Sequence, residues 1–227
     1  MGQKTSIALF RARKRLAFVA NNSADPSQLQ PLVWYANKYN YSKVLIDDVK
    51  IRAYLLDRLA SAGIVQIVIR RYFRKIEITI FSTKPGIIIG KGGSSINNLK
   101  ESLIARFNLP KDLKLEILEY KDQFASARVV ATEISEALKK NVPFRRIAKT
   151  YLEKIRYAGR LGAKIEIKGR LNGAEIARAE KFGYGSIPRH TIDSNIDYTL
   201  VESLTRAGVV SVKVWIYKGD KLKNYNY

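Results

Sequence analysis

The 227-residue sequence contains no cysteine, a single histidine and a single methionine. Without cysteine there is no disulfide, no thiolate-bound zinc and no thiol nucleophile. One imidazole, His190, cannot build a histidine metal site and makes histidine acid–base chemistry improbable. Long apolar runs are missing too: none approaches the ~20 residues of a bilayer-spanning helix. Acids are scarce, 20 Asp and Glu against 41 Lys and Arg, a formal charge of +21. Such an excess repels itself unless a polyanion neutralises it. What is present is a globular pattern, 46% hydrophobic, long enough for one large domain or two small ones. The cations are spread through that pattern instead of being gathered on one amphipathic helix. That favours nucleic acid over an anionic membrane, and no membrane partner is expected.

The most informative short stretch is GIIIGKGGSS, residues 86–95. A Walker loop requires G-x-x-x-x-G-K-[ST]; Gly86 and Gly90 are one residue too close, and Gly92 replaces the magnesium-binding hydroxyl. A dinucleotide loop requires G-x-G-x-x-G, and Ser95 stands at its third glycine. The pattern that fits is Gly90-Lys91-Gly92-Gly93, a G-x-x-G loop of the kind with which KH domains clamp about four nucleotides. G-x-x-G alone is a weak signal, so its flanks must decide. A plain helix–turn–helix connection is the bland alternative.

Asp47 can cap a helix that carries Ile51, Leu55 and Leu59 on one face and stops at Gly63. Residues 64–72 read as a strand, Arg74-Lys75 as a turn, and Ile76, Ile78 and Ile80 as the inward side of an antiparallel strand. Pro85 opens a short turn. Ser94 or Ser95 caps a helix bearing Ile96, Leu99, Leu103 and Phe107, and Leu113, Leu115 and Ile117 begin a third strand. The glycine loop therefore joins two helices, as a G-x-x-G clamp requires. Its glycines let the backbone approach phosphates, the following helix adds a positive dipole end, and Lys91 sits at the tip. The isoleucines read as a packed wall beneath it.

Farther on, Val130, Ile134 and Leu138 mark one helix. A second begins near Pro143 and buries Phe144, Ile147, Tyr151 and Ile155. On its outer side Arg145, Lys149, Arg156 and Arg160 form a stripe, with Arg146 beside it. Residues 139–160 hold eight cations and one acid, Glu153; a stripe of a single sign lacks the i,i+4 partners that a solvated face would favour and reads as phosphate-binding. Strands are expected over 164–168, around 191–201 and over 210–217, where Val210, Val212, Val214 and Ile216 alternate with Ser211, Lys213, Trp215 and Tyr217. Trp215 reads as an interface or helix-packing residue. The result is an α+β layer with a mostly antiparallel sheet and helices on one face.

MGQK, KPGIIIGKGG, the FRR of NVPFRRIAK, GRLNGAEIAR, IPRHTIDSNIDY and VVSVKVWIYKG, in this order, resemble the bacterial-type (or organellar) family of small-subunit ribosomal protein three, uS-three. After MGQK the arm departs from the family pattern, and Thr150 stands where a further cation is common. The resemblance implies a type II KH domain followed by a C-terminal α/β domain. Expected boundaries are 1–46 for a basic arm and linker, 47–121 for the KH domain, 122–219 for the C-terminal domain and 220–227 for a flexible tail. It also implies partners: small-subunit ribosomal RNA, messenger RNA, and ribosomal proteins ten and fourteen. Arg145, Arg146 and Lys149 match positions implied to line the channel by which messenger enters. Lys4, Arg11, Arg13, Lys14 and Arg15 of the arm, with Arg156 and Arg160, are expected to touch ribosomal RNA. The ribosome in question is cytoplasmic or organellar. No cofactor and no metal are expected. An enzyme would show convergent carboxylates, histidine or a complete nucleotide loop, and Glu175 reads as an ion partner instead of a catalyst. The alternative function is a free-standing KH regulator of transcripts.

Overall fold

The computed structural model describes residues 32–72, 75–107, 109–110 and 112–220. The basic arm with Lys4, Arg11, Arg13, Lys14 and Arg15, the Arg74 turn and the tail beyond 220 lie outside the described residues. The described chain divides into two compact units, meeting at Lys121 and Asp122.

The first unit runs β1 (Leu32–Val33), α1 (Lys38–Arg58), a 3-10 turn (Ala60–Ala62), β2 (Ile64–Arg71), β3 (Ile76–Ser82), α2 (Pro85–Ile89), a second 3-10 turn (Lys91–Gly93), α3 (Ser94–Phe107) and β4 (Leu113–Glu119). Its sheet is ordered β1-β2-β3-β4, with β2 antiparallel to β3 and the outer pairs parallel. Ile51 and Leu55 of α1, Ile88 of α2, and Leu99 and Leu103 of α3 close on Ile67, Ile69, Ile78, Ile80 and Leu113. The alternating isoleucines thus do what their period requires: one side of the sheet meets the helices.

Helix α1 starts at Lys38, nine residues before the expected Asp47 cap. Residues 32–46, read as arm and linker, therefore contain β1 and the opening turns of α1. The reason is tertiary. Asp48 is fully buried inside the helix, where a lone carboxylate would be prohibitive. Trp34 Nε1 donates to its Oδ2 at 2.6 Å, and Arg71 Nε donates to its Oδ1 at 2.7 Å, with a second guanidinium nitrogen on the same oxygen. Tyr41 packs on the Trp34 ring, centroids 5.4 Å apart. One carboxylate thus ties the β1–α1 connection, α1 and the end of β2 together.

The second unit runs a 3-10 turn (Gln123–Ala125), α4 (Ala127–Lys139), α5 (Phe144–Tyr157), β5 (Gly162–Gly169), a 3-10 turn (Leu171–Gly173), β6 (Arg178–Gly185), β7 (Ser194–Thr205) and β8 (Gly208–Asp220). The sheet is wholly antiparallel, ordered β6-β5-β8-β7. Val130, Ile134 and Leu138 of α4 and Phe144, Ile147 and Ile155 of α5 pack on Ile165, Ile167, Val210, Val212, Val214 and Ile216. This is the expected α+β layer with both helices on one face.

Three features differ from the sequence reading. Strand β6 went unrecognised because its two glycines and its charges give RAEKFGYG little strand propensity; it forms as the edge partner of β5. Strand β7 starts at Ser194 and continues to Thr205. Trp215 is buried on the outer face of the sheet, under Tyr198 at 5.2 Å between centroids, in a small cluster with Ile187, Ile196 and Tyr217. A further detail fixes α4: the Asp197 carboxylate of β7 accepts the Ala127 amide at 2.9 Å, so the cap comes from the sheet.

The two tryptophans report on different units, Trp34 on the first and Trp215 on the second. In a Trp215→Phe background, Asp48→Ala should destabilise the first unit by about 3 kcal/mol, because Arg71 and the indole N–H lose their acceptor while largely buried. Denaturant unfolding followed by Trp34 fluorescence measures this; an unshifted midpoint would show that the tie contributes nothing.

Candidate nucleic-acid interface

The G-x-x-G loop is built from the end of one helix and the start of another. Helix α2 stops at Gly90, whose φ of 70° and ψ of −177° are open only to glycine. A Cβ there would stand 2.4 Å from Ser95 Oγ, so the backbone lies directly on the first turn of α3. Gly92 has φ 60°, ψ 22°, and Gly93 φ 77°, which turn the chain through a 3-10 segment into α3. Neither serine caps this helix. Ser94 is its first residue, and its hydroxyl donates to the Lys91 carbonyl at 2.9 Å. The turn of glycines sets the start instead.

Lys91 is exposed at the loop tip, as expected, and Gly92 beside it is exposed as well. Two of the three glycine amides are occupied within the loop: Gly90 N–H donates to the Gly86 carbonyl at 3.0 Å and Gly93 N–H to the Gly90 carbonyl at 3.4 Å. That leaves Lys91 and the Gly92 amide as the groups to meet an anion. The wall of isoleucines is thinner than the sequence suggested. Ile88 is buried, whereas Ile87 and Ile89 are exposed beside the loop. A single helical turn cannot turn three consecutive side chains inward, and that spacing was legible in advance.

The basic helix is α5. Arg145, Arg146, Lys149 and Arg156 are all exposed. Arg145 is nevertheless engaged: its Nε and Nη2 both donate to the Glu180 carboxylate at 3.1 Å. Glu180 also meets Arg178 at 3.4 Å. The hydrogen bond raises the Arg145 pKa and holds the Glu180 carboxyl below its ordinary value. Arg146, Lys149 and Arg156 have no ion pair among the described residues. Arg160 does not belong to the stripe. It follows the helix end and the Gly159 turn (φ 73°), pairs with Asp122 at 3.1 Å, and offers its carbonyl to the Tyr184 hydroxyl at 2.9 Å. Lys154 turns away too, over the rings of Tyr151 and Phe124. Sequence reasoning missed Glu180 because it lies on the unrecognised β6. It also missed Tyr157, 89% exposed at the end of the basic helix. Glu175, read as an ion partner, is exposed and makes no ion pair among the described residues.

No group of three metal-ligating side chains occurs among the described residues, and no described helix is long and apolar enough to cross a membrane.

Comparison with known proteins accounts for both units. The family described as "KH domain" matches residues 50–123, and that described as "Ribosomal protein S3, C-terminal domain" matches residues 134–216. The small ribosomal subunit protein uS3 of Hydrogenovibrio crunogenus is 42% identical over 190 residues, covering 84% of this chain and 82% of the relative. The chain belongs to the uS3 family. The uS3 protein of Clostridium perfringens is likewise 42% identical over 189 residues, with 83% and 85% covered. That of Paracidovorax citrulli is 40% identical over 189 residues; there the match takes in 83% of this chain but 64% of the longer relative. The uS3 family is one of small-subunit ribosomal proteins and is not enzymatic. Its KH unit here carries the G-x-x-G loop, and its C-terminal unit carries the basic helix.

The loop geometry gives a test that spares the fold. No atom lies within 4 Å of a Cβ built on Gly92, and Asp tolerates its left-handed conformation. Lys91→Asp with Gly92→Asp should leave thermal unfolding within a few degrees of the parent and weaken single-stranded RNA binding about tenfold or more. Fluorescence anisotropy at low and moderate salt reads the outcome; unchanged affinity would remove the loop from the interface.

Proposed function

We propose that this chain is a structural constituent of the small ribosomal subunit. It binds small-subunit ribosomal RNA in the head and lines the channel by which messenger RNA enters, helping to open structured messenger during translation. Its neighbours there are ribosomal RNA, messenger, and ribosomal proteins ten and fourteen. The ribosome is cytoplasmic in a bacterium or lies within an organelle. In the loop Gly90-Lys91-Gly92-Gly93, Lys91 and the Gly92 amide hold RNA backbone while Gly90 and Gly93 shape the turn that brings it close, with exposed Ile87 and Ile89 as apolar ground for bases. Arg145, Arg146 and Lys149 face messenger; Arg156 and the arm cations extend the contact to ribosomal RNA. Arg160, held by Asp122, positions the turn after α5.

The observation that carries the channel assignment is the exposed, basic face of α5, whose Arg146 and Lys149 pair with no carboxylate among the described residues. Fixed cations at a narrow mouth hold phosphates whatever the sequence, because such contacts read charge and not bases. That suits a passage through which every message must run. The work of strand opening comes from translocation, since the chain has no complete nucleotide loop; the cations keep an opened strand from re-pairing.

Removing the charges of Arg145, Arg146 and Lys149 together should leave subunit assembly largely intact. It should slow translation through a stable hairpin several-fold more than through an unstructured message, as befits loss of about three phosphate contacts. Equal slowing on both templates would make α5 an assembly contact, and normal speed on both would make it a solvated face. Arg146 and Lys149 should account for more of the effect than Arg145, which Glu180 already engages. Gradient fractionation tests the ribosomal role itself: the chain should remain with the small-subunit peak in high salt, where a free-standing RNA regulator would be released.

A further inference from the structure

Away from the loop, the first unit gathers two more arginines around one ring. Arg58, in the last turn of α1, donates through Nη1 to the Tyr54 hydroxyl and, at 3.5 Å, to Ser102 Oγ of α3. Arg106 of α3 lies over the Tyr54 ring at 4.9 Å from its centroid, and Arg58 lies 5.8 Å from the same centroid. Phe107 holds the ring edge-on at 5.9 Å, and the Tyr54 hydroxyl approaches Ser102 Oγ at 3.4 Å, so the platform is fixed. Both arginines are exposed, and neither makes an ion pair among the described residues. Two like charges on one ring repel each other. The described fold supplies the ring and the hydroxyls but no counter-charge. Guanidinium pairs of this kind, with most N–H donors unfilled, match the bidentate geometry of a phosphate.

The position of the pair says which phosphate. Gly90 of the loop lies on Ser95. Ser102 comes seven residues later in the same helix, which returns it to the same side about 10 Å farther on. The 3-10 turn that follows Arg58 also packs against α2, the helix that leads into the loop. Loop and arginine pair therefore share one flank of α3.

We propose that an RNA strand clamped at the G-x-x-G loop continues along this flank of α3 and sets a backbone phosphate against Arg58 and Arg106. The pair extends the footprint beyond the nucleotides the loop itself holds. The inference rests on the loop reading, and oligonucleotide length separates the two. The full chain would be titrated with labelled oligouridylates of about four nucleotides, enough for the loop alone, and of about ten, enough to pass it. Arg58→Gln with Arg106→Gln, both surface changes, should keep the thermal midpoint. The short strand should bind as before. The long strand should bind about tenfold more weakly, with its log–log salt slope shallower by about 0.7, the share of one phosphate on a single strand. If the long strand keeps its affinity and slope while the Lys91→Asp, Gly92→Asp protein loses both, the loop reading stands and the extension is wrong. Equal losses on both lengths would make the arginines a diffuse charge effect and overturn the extension as well. A loop variant that binds both lengths normally removes the clamp, and the continuation falls with it.

Discussion

Mutual repulsion among 41 cations is the constraint to which the rest of this structure answers. Only 20 acids are available, and the fold places several where a cation would otherwise strain it. Asp48 meets Arg71 in the interior of the first unit, Asp122 meets Arg160 at the turn after α5, and Glu180 takes both Arg145 and Arg178. Asp197 caps α4. These acids serve architecture. The cations they leave alone, Lys91 at the loop tip and Arg146, Lys149 and Arg156 on α5, point outward to solvent. A polyanion completes the neutralisation that the chain itself leaves unfinished. On the proposed reading, stability and RNA binding are divided between two sets of charges, one paired and one open.

The two proposed phosphate contacts, one in each unit, differ in mechanical character. The loop would grip through backbone geometry: glycine conformations, a helix start and one flexible ammonium, with Gly90 so close to Ser95 that a side chain has no room. Helix α5 offers long side chains on a rigid rod, anchored by Phe144, Ile147 and Ile155 beneath, with Arg146, Lys149 and Arg156 exposed above. The first arrangement suits a strand that stays, as structural RNA does. The second suits a strand that slides, since long cationic side chains follow successive phosphates without a fixed register. If the proposed roles hold, a single polypeptide combines a clamp and a rail.

Much of this was legible in the sequence, and the failures have physical causes. Elements whose apolar period is strong were readable, as with Ile76, Ile78 and Ile80 in β3, Val130, Ile134 and Leu138 in α4, and the valines of β8. The spacing of the glycines, read against other phosphate loops, identified G-x-x-G. What escaped was set by partners distant in sequence. The start of α1 depends on Trp34 and Arg71 satisfying a buried Asp48, which no local pattern announces. Strand β6 owes its existence to β5, because Gly183 and Gly185 deny it any propensity of its own. Through β6 the sequence also hid Glu180, and so the engagement of Arg145. The expected stripe was a projection of one helix; Arg160 leaves it because Gly159 ends the helical geometry first.

The Asp48 tie has a consequence for the order in which the chain is made. Its carboxylate and the guanidinium it needs are 23 residues apart. At the usual pace of synthesis, about 5–20 residues per second, Arg71 leaves the peptide exit about one to five seconds after Asp48. During that interval the acid lacks the guanidinium that meets it in the finished fold. Closure of the first unit then waits on the completion of β2. A charge pair that looks static in the finished protein cannot close in the growing one until the last residue of β2 has been made.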